Sequence, residues 1–289
     1  MNDHDALAAR FEAHRGQLRA VAYRMLGSAS EADDVVQEAW LRLSRTDVSG
    51  IDSLEAWLRT VTSRVCLDML RTRSSRGEEP FGAHLPADGE DEDPEQEALL
   101  VDSVGRALLV VLDTLGPAER VAFVLHDLFA VPFEQIAPIV DRTPVAAKKL
   151  ASRARHRVRG TPATPRGELA RQRRVVEAFL AAARRGDLEA LLNVLAPDVV
   201  RRADLTALTP DRETVLRGAD AVAREMLVFG HRANTGAPAL VNGATGAVIA
   251  PYGRLLLAIA ITVRDDRVAE YEMIADPVRL RGLDLAVYP

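Results

Sequence analysis

Apolar residues recur at helical spacing through the first 160 positions, and later give way to short β-rich runs, so the chain reads as helices followed by a mixed segment. Leu7, Phe11, Leu18, Val21, Ala22, Met25 and Leu26 give one apolar face before Gly27. Ser28 and Ser30 then offer caps, and Glu31, Asp33 and Asp34 fall in the first turn of a second helix, where the helix dipole favours negative charge. Val35, Val36, Ala39, Trp40 and Leu43 form its buried side. Turn composition from Arg45 to Asp52 separates it from a third helix, beginning near Ser53. That helix is expected to bury Leu54, Trp57, Leu58, Val61, Val65 and Leu67 or Leu70, and it ends in the basic cluster Arg71, Arg73 and Arg76. Residues 4–76 are therefore expected to form a three-helix domain.

Residues 77–94 contain Gly, Pro and acidic side chains without sustained periodicity, the composition of a linker. Helices resume from Glu95, over Leu99 to Leu115 and Pro117 to Leu128, and lead into Pro132 to Arg159. This last stretch reads as two helices broken at Val140-Asp141-Arg142. The second opens on Thr143-Pro144, a side-chain oxygen at the cap followed by the residue whose missing N–H costs nothing at the first helical position. Ala147, Leu150, Ala154 and Val158 make an inward stripe, and basic and polar residues fill the other faces. This is a helix-turn-helix pattern, and it closes a second helical domain at 95–160. In such a motif the start of the second helix reaches base edges and its basic end lies against phosphates.

After the break at Thr161-Pro-Ala-Thr-Pro165 the third domain, 168–289, is expected to carry helices at Leu169 to Ala183, Leu188 to Leu195 and Gly218 to Phe229. Strands are expected at Val199-Val200, Ala239 to Val241, Ala247 to Ala250, Arg254 to Val263 and Arg267 to Ile274, the last two joined as a hairpin at Asp265-Asp266. The fold class is multidomain: two all-α domains followed by an α+β domain.

At 289 residues, with 48% hydrophobic and 27% charged residues, the chain suits two or three soluble domains. The single cysteine, Cys66, precludes an intramolecular disulfide and a cysteine-rich metal site, and neither a signal-peptide core nor a bilayer-spanning run is present. A cytoplasmic protein is expected. The net charge of -5 looks wrong for a nucleic-acid binder, but its distribution reverses that impression. Basic residues crowd 141–174, and residues 78–97 are acidic with no Lys or Arg.

The string Glu31-Ala-Asp-Asp-Val-Val-Gln-Glu-Ala-Trp-Leu-Arg-Leu43, followed by Ala56-Trp-Leu-Arg59 and Asp68-Met-Leu-Arg71, resembles region 2 of bacterial RNA polymerase sigma factors of the extracytoplasmic-function type. Leu115-Gly-Pro-Ala-Glu-Arg-Val-Ala-Phe-Val-Leu-His-Asp127 and the helix-turn-helix resemble their region 4. The third domain resembles a SnoaL-like domain, related to the nuclear-transport-factor fold, and places the chain as a divergent member of, or sister group to, the sigma factors that carry one. His84-Leu-Pro-Ala-Asp88 and Asp276-Pro-Val-Arg-Leu280 match that subset's motifs in part.

The resemblance implies that Asp33, Asp34, Gln37 and Glu38 grip the β′ clamp coiled coil of core RNA polymerase, although such a run taken alone is usually a solvated face. It implies that Arg59, Arg64, Arg71 and Arg73, with the loop Thr46 to Ile51, handle the minus-ten promoter element and a flipped base. Val145, Lys148, Lys149 and Ser152 are expected near bases of the minus-thirty-five element, and Arg153, Arg155 and Arg157 near its backbone. Trp40 and Trp57 are expected in the core. In the third domain Asp198, Asp204, His231, Tyr252 and Glu270 are the polar residues to inspect, but no paired acid/base motif is visible. No catalytic residue, cofactor or metal is expected, and no membrane partner. The expected function is recruitment of core polymerase to promoters, with the third domain regulating it through contact with the helical domains. A helix-turn-helix regulator with a ligand-sensing domain, or a SnoaL-like isomerase or cyclase, is the alternative.

Overall fold

The computed structural model describes residues 3–76, 105–209, 212–229 and 235–288. The acidic linker at 77–94, the beginning of the helix expected from Leu99, and His231 lie outside the described residues. Among the described residues, 3–76 and 112–155 form one compact unit, and 105–111 with 156–288 form another.

In the first unit, helices α1 (Asp3–Leu26), α2 (Ala29–Leu43) and α3 (Leu54–Arg76) follow the expected boundaries closely. Ser28 caps α2, its side-chain oxygen accepting the Glu31 N–H at 3.3 Å. Phe11, Leu18, Val36, Leu43, Leu54 and Leu58 form one core, against which Trp40 and Trp57 pack. On α3 the expected inward positions shift: Thr62, Ser63 and Cys66 are buried, whereas Val61 and Val65 are only half-buried. The reason is that α3 has a third neighbour, α5 (Pro117–Phe123), in addition to α1 and α2.

Helix α5 starts on Pro117 behind Gly116 and continues through a π-helical turn at Val124–Leu128. Before it, α4 (Arg106–Asp113) is the described part of the helix expected to end at Leu115. Short α6 (Phe133–Ile136) and long α7 (Pro144–Arg159) make the helix-turn-helix, and Asp141 takes a left-handed conformation (φ 54°) in the turn between them. Thr143 Oγ1 accepts the Ala146 N–H at 3.3 Å, the cap its sequence predicts. The inward stripe is Ala147, Ala151, Ala154 and Val158; Ala151 is fully buried and Leu150 only partly. Three small alanines on this stripe let the helix approach its neighbours closely.

The second unit is built on a seven-stranded sheet, in the order β2-β1-β6-β5-β4-β3-β7. Its strands are β1 (Leu195–Ala203), β2 (Val215–Arg217), β3 (Gly236–Val241), β4 (Ala244–Ile249), β5 (Leu257–Arg264), β6 (Arg267–Ile274) and β7 (Leu285–Ala286). All neighbours are antiparallel except β1 and β6, which are parallel. Helices α8 (Arg166–Arg185), α9 (Leu188–Val194) and α10 (Ala219–Phe229) bury Val176, Phe179, Leu180, Leu191 and Val222 in one core with Ala247, Ile259 and Tyr271 of the sheet.

The hairpin expected at Asp265-Asp266 is present, both residues having positive φ. A second hairpin turns at Asn242-Gly243, and a Cβ on Gly243 would come within 2.7 Å of the Thr161 carbonyl oxygen. Ala163 donates its N–H to the Gly243 oxygen at 2.9 Å, so the Pro-rich segment 161–165 lies on this turn. Val287 likewise donates to the Val158 oxygen at 2.9 Å, joining the last turn of α7 to the chain's final strand.

Candidate functional site

On α2, Asp34, Gln37, Glu38 and Leu41 fall three and four residues apart and so share one face. Asp34 and Gln37 are exposed, and Glu38 accepts a hydrogen bond from Arg42 Nε at 2.7 Å. Asp33 is held differently, by a fork from Arg19 on α1 with Nε at 2.7 Å and Nη2 at 3.1 Å. Leu41 extends the stripe and is 39% exposed, an apolar side chain beside three polar ones. Sequence reasoning did not single it out, although its spacing from Gln37 and Glu38 carries the signal.

The α3 arginines are engaged within the first unit. Arg59 bonds Glu55 at 3.1 Å and reaches Gln135 Oε1 on α6 at 2.7 Å. Arg64 donates to the Pro138 carbonyl oxygen at 3.1 Å. Arg71 lies 3.5 Å from Asp141 and 3.8 Å from Asp68. Arg73 pairs with Glu31 and donates to the Leu26 oxygen at 3.3 Å. In the preceding loop, Asp47 accepts the Ser49 N–H at 2.9 Å and caps a 3-10 turn at Val48–Gly50. That backbone hydrogen bond holds the Asp47 carboxyl below its usual range.

Helix α7 presents Val145, 68% exposed, with exposed Lys148, Lys149, Ser152 and Arg157. Arg153 lies 3.4 Å from Glu119, and Arg155 is clasped by both carboxylate oxygens of Asp127 in the π-helical turn, at 2.6 and 3.0 Å. The hydrogen bonds to Asp127 raise the Arg155 guanidinium above its ordinary pKa. Asp127 thus orients one side of α7, while the first turn and the lysines face outward.

In the α+β unit, Asp198 is exposed and Glu270 pairs with Arg202 at 2.7 Å. Asp204 accepts the N–H groups of Ala275 and Asp276 at 2.9 and 2.8 Å and so ties β1 to the entry of α11 (Pro277–Arg281). The polar residue that points inward is Arg201, which sequence reasoning missed. Its Nε reaches Glu225 Oε2 on α10 at 2.9 Å, its Nη2 reaches Glu225 Oε1 at 2.5 Å, and its Nη1 donates to the Glu213 oxygen at 2.6 Å. Arg201 stands opposite Tyr271 across the β1–β6 pair, and burial pushes the Tyr271 phenol well above its ordinary pKa. The alternation of Val199, Arg201 and Ala203, all buried, is the signal in the sequence.

Among the described residues no group of His, Cys, Asp or Glu is arranged to hold a metal ion, and no helix is long and apolar enough to cross a membrane. The sigma-70 region 2 family matches residues 10–76, and the sigma-70 region 4 family matches residues 105–158. The chain is similar to the probable ECF RNA polymerase sigma factor SigI of Mycobacterium tuberculosis, with 36% identity over 98% of each chain. It is also similar to the ECF RNA polymerase sigma factor SigJ of that organism, with 40% identity over 95% of this chain and 93% of the relative. A crystal structure of Mycobacterium tuberculosis SigJ, 38% identical, covers 95% of this chain and 98% of that one at a TM-score of 0.47. Sigma factors with these two regions bind core RNA polymerase and promoter DNA in transcription initiation, and here both regions lie in their expected order ahead of an α+β domain. The chain belongs to the extracytoplasmic-function sigma factors of bacterial RNA polymerase.

Proposed function

We propose that Asp34, Gln37, Glu38 and Leu41 dock on the β′ clamp helices of core polymerase, with Arg19 holding Asp33 at the edge of the contact. Exposure of Leu41 within a polar stripe supports this: a desolvated apolar anchor supplies affinity, and the ring of charges sets orientation. Arg59, Arg64, Arg71 and Arg73, with the loop at 46–51, then meet the minus-ten strand. Val145, Lys148, Lys149 and Ser152 enter the major groove of the minus-thirty-five element. Arg153 and Arg157 neutralise phosphates beside them, and Arg155 adds its charge from a position fixed by Asp127. The action is non-covalent and belongs to the cytoplasm, where polymerase works; no residue is assigned a catalytic role.

This division of labour on α7 has a measurable signature. Lys148→Ala is expected to cost about 1–3 kcal/mol on its own promoter and to relax discrimination at one base pair. Arg157→Ala should weaken all duplexes alike and reduce the log–log salt slope by about 0.9. Binding isotherms of the holoenzyme on matched and mutated promoters over a salt series separate the two effects.

The α+β domain regulates activity through α7, a reading supported by the Val287–Val158 and Ala163–Gly243 hydrogen bonds, which place 156–165 in the same compact unit as the sheet. Chains ending after Pro165, and separately after Asp276, should differ from the full chain in promoter-directed transcription by several-fold, measured as run-off product per holoenzyme. Equal activity in all three would remove the regulatory role.

A further inference from the structure

We propose that, away from polymerase, the helix-turn-helix covers the promoter-facing side of α3, so that one DNA-binding surface masks the other until the seam between them opens. The inference rests on the reading of α3 as the minus-ten helix. Arg59, Arg64 and Arg71 lie along α3, and each contacts one point of α6 or of the turn after it: Gln135 Oε1, the Pro138 oxygen and Asp141. Charges held this way are not available to phosphates.

The same seam is built to part. Arg120 of α5 is only 3% exposed and inserts beside the α1–α2 turn, where a Cβ on Gly27 would lie 3.7 Å from its Nη2. Its Nη1 pairs with Asp113, but Nε and Nη2 are buried with no hydrogen-bond partner among the described residues. Glu31 Oε2, Thr62 Oγ1 and Ser63 Oγ, on the helices facing it, are buried and unpartnered as well. Buried polar groups without partners weaken an interface relative to an apolar one of equal area, and water would satisfy all of them on opening. An interface optimised for permanence would pair these atoms or replace them with carbon.

The test uses the full chain. Cys66 is buried, and burial pushes its thiol up to about 12, so it stays silent to maleimide. Cysteines introduced as Thr72→Cys and Arg142→Cys can therefore carry a fluorophore pair. Close labels in the free protein that separate on binding core polymerase support the seam. Labels equally close in both states overturn it.

In parallel, Gln135→Ala with Asp141→Ala should bind a random 12-nucleotide single strand several-fold more tightly than the unaltered chain. Its salt slope should be steeper by about 2, the release expected for three more phosphate contacts. Glu134→Ala removes one charge from the same helix, has no hydrogen bond or ion pair to α3 among the described contacts, and should leave the slope unchanged. Labels that separate while strand binding and slope stay unchanged would mean that α3 does not face DNA, overturning the masking claim together with that part of the proposed function.

Discussion

Arg201→Met is expected to reduce the opening free energy of the α+β unit by about 3–5 kcal/mol, the usual consequence of removing one partner from a buried ion pair. Arg201 is fully buried, bonds Glu225 through two nitrogens and also satisfies the Glu213 carbonyl oxygen. Without it, the Glu225 carboxylate remains in a largely buried position with no counter-charge, and the Glu213 oxygen loses its donor. Replacing both partners, as Arg201→Met with Glu225→Leu, should recover most of the loss, because two apolar side chains need no pairing. Native-state amide exchange on β5 and β6 reads the effect within this unit. A cost below about 1 kcal/mol for the single substitution would show that water already reaches the pair.

Asp34→Lys combined with Glu38→Lys is expected to weaken binding to core polymerase by about 100-fold or more, since like charges brought together across an interface cost several kcal/mol. The helix itself should tolerate both changes. The two side chains lie on the outer face, and Glu38→Lys exchanges the ion pair with Arg42 for a like-charge pair that costs only a few tenths of a kcal/mol at that spacing, so helicity measured by circular dichroism should not move. Leu41→Ala should weaken the same complex by about tenfold without any change of charge, by removing a buried apolar contact. If polymerase affinity survived the double charge reversal, the clamp surface would have to lie elsewhere on the chain.

The helical parts were legible because their signals are local. Ser28 and Thr143 accept the capping hydrogen bonds that their positions suggest, and Gly186, left-handed at φ 62°, ends α8 as expected. What escaped depended on contacts distant in sequence. Cys66 replaces Val65 in the core because α5 packs on α3, and no periodicity within α3 can announce that neighbour. Strands β2 and β7 have three and two residues, too few to show an alternation, and exist because β1 and β3 offer edges. Arg201 was overlooked because an arginine in a strand is ordinarily taken to face water. Its partner Glu225 comes from a helix 24 positions later. The α3 arginines were correctly located on one helix, but their engagement by Gln135, Pro138 and Asp141 is a tertiary fact, invisible in either segment alone.

The most direct measurement of the central claim is run-off transcription with purified core polymerase and the full chain on a genomic promoter library. The account predicts discrete transcripts that appear only when the protein is added and that are lost when Asp34→Lys and Glu38→Lys are combined. Failure of the full chain to bind core polymerase, with no transcript dependent on it, would contradict the account.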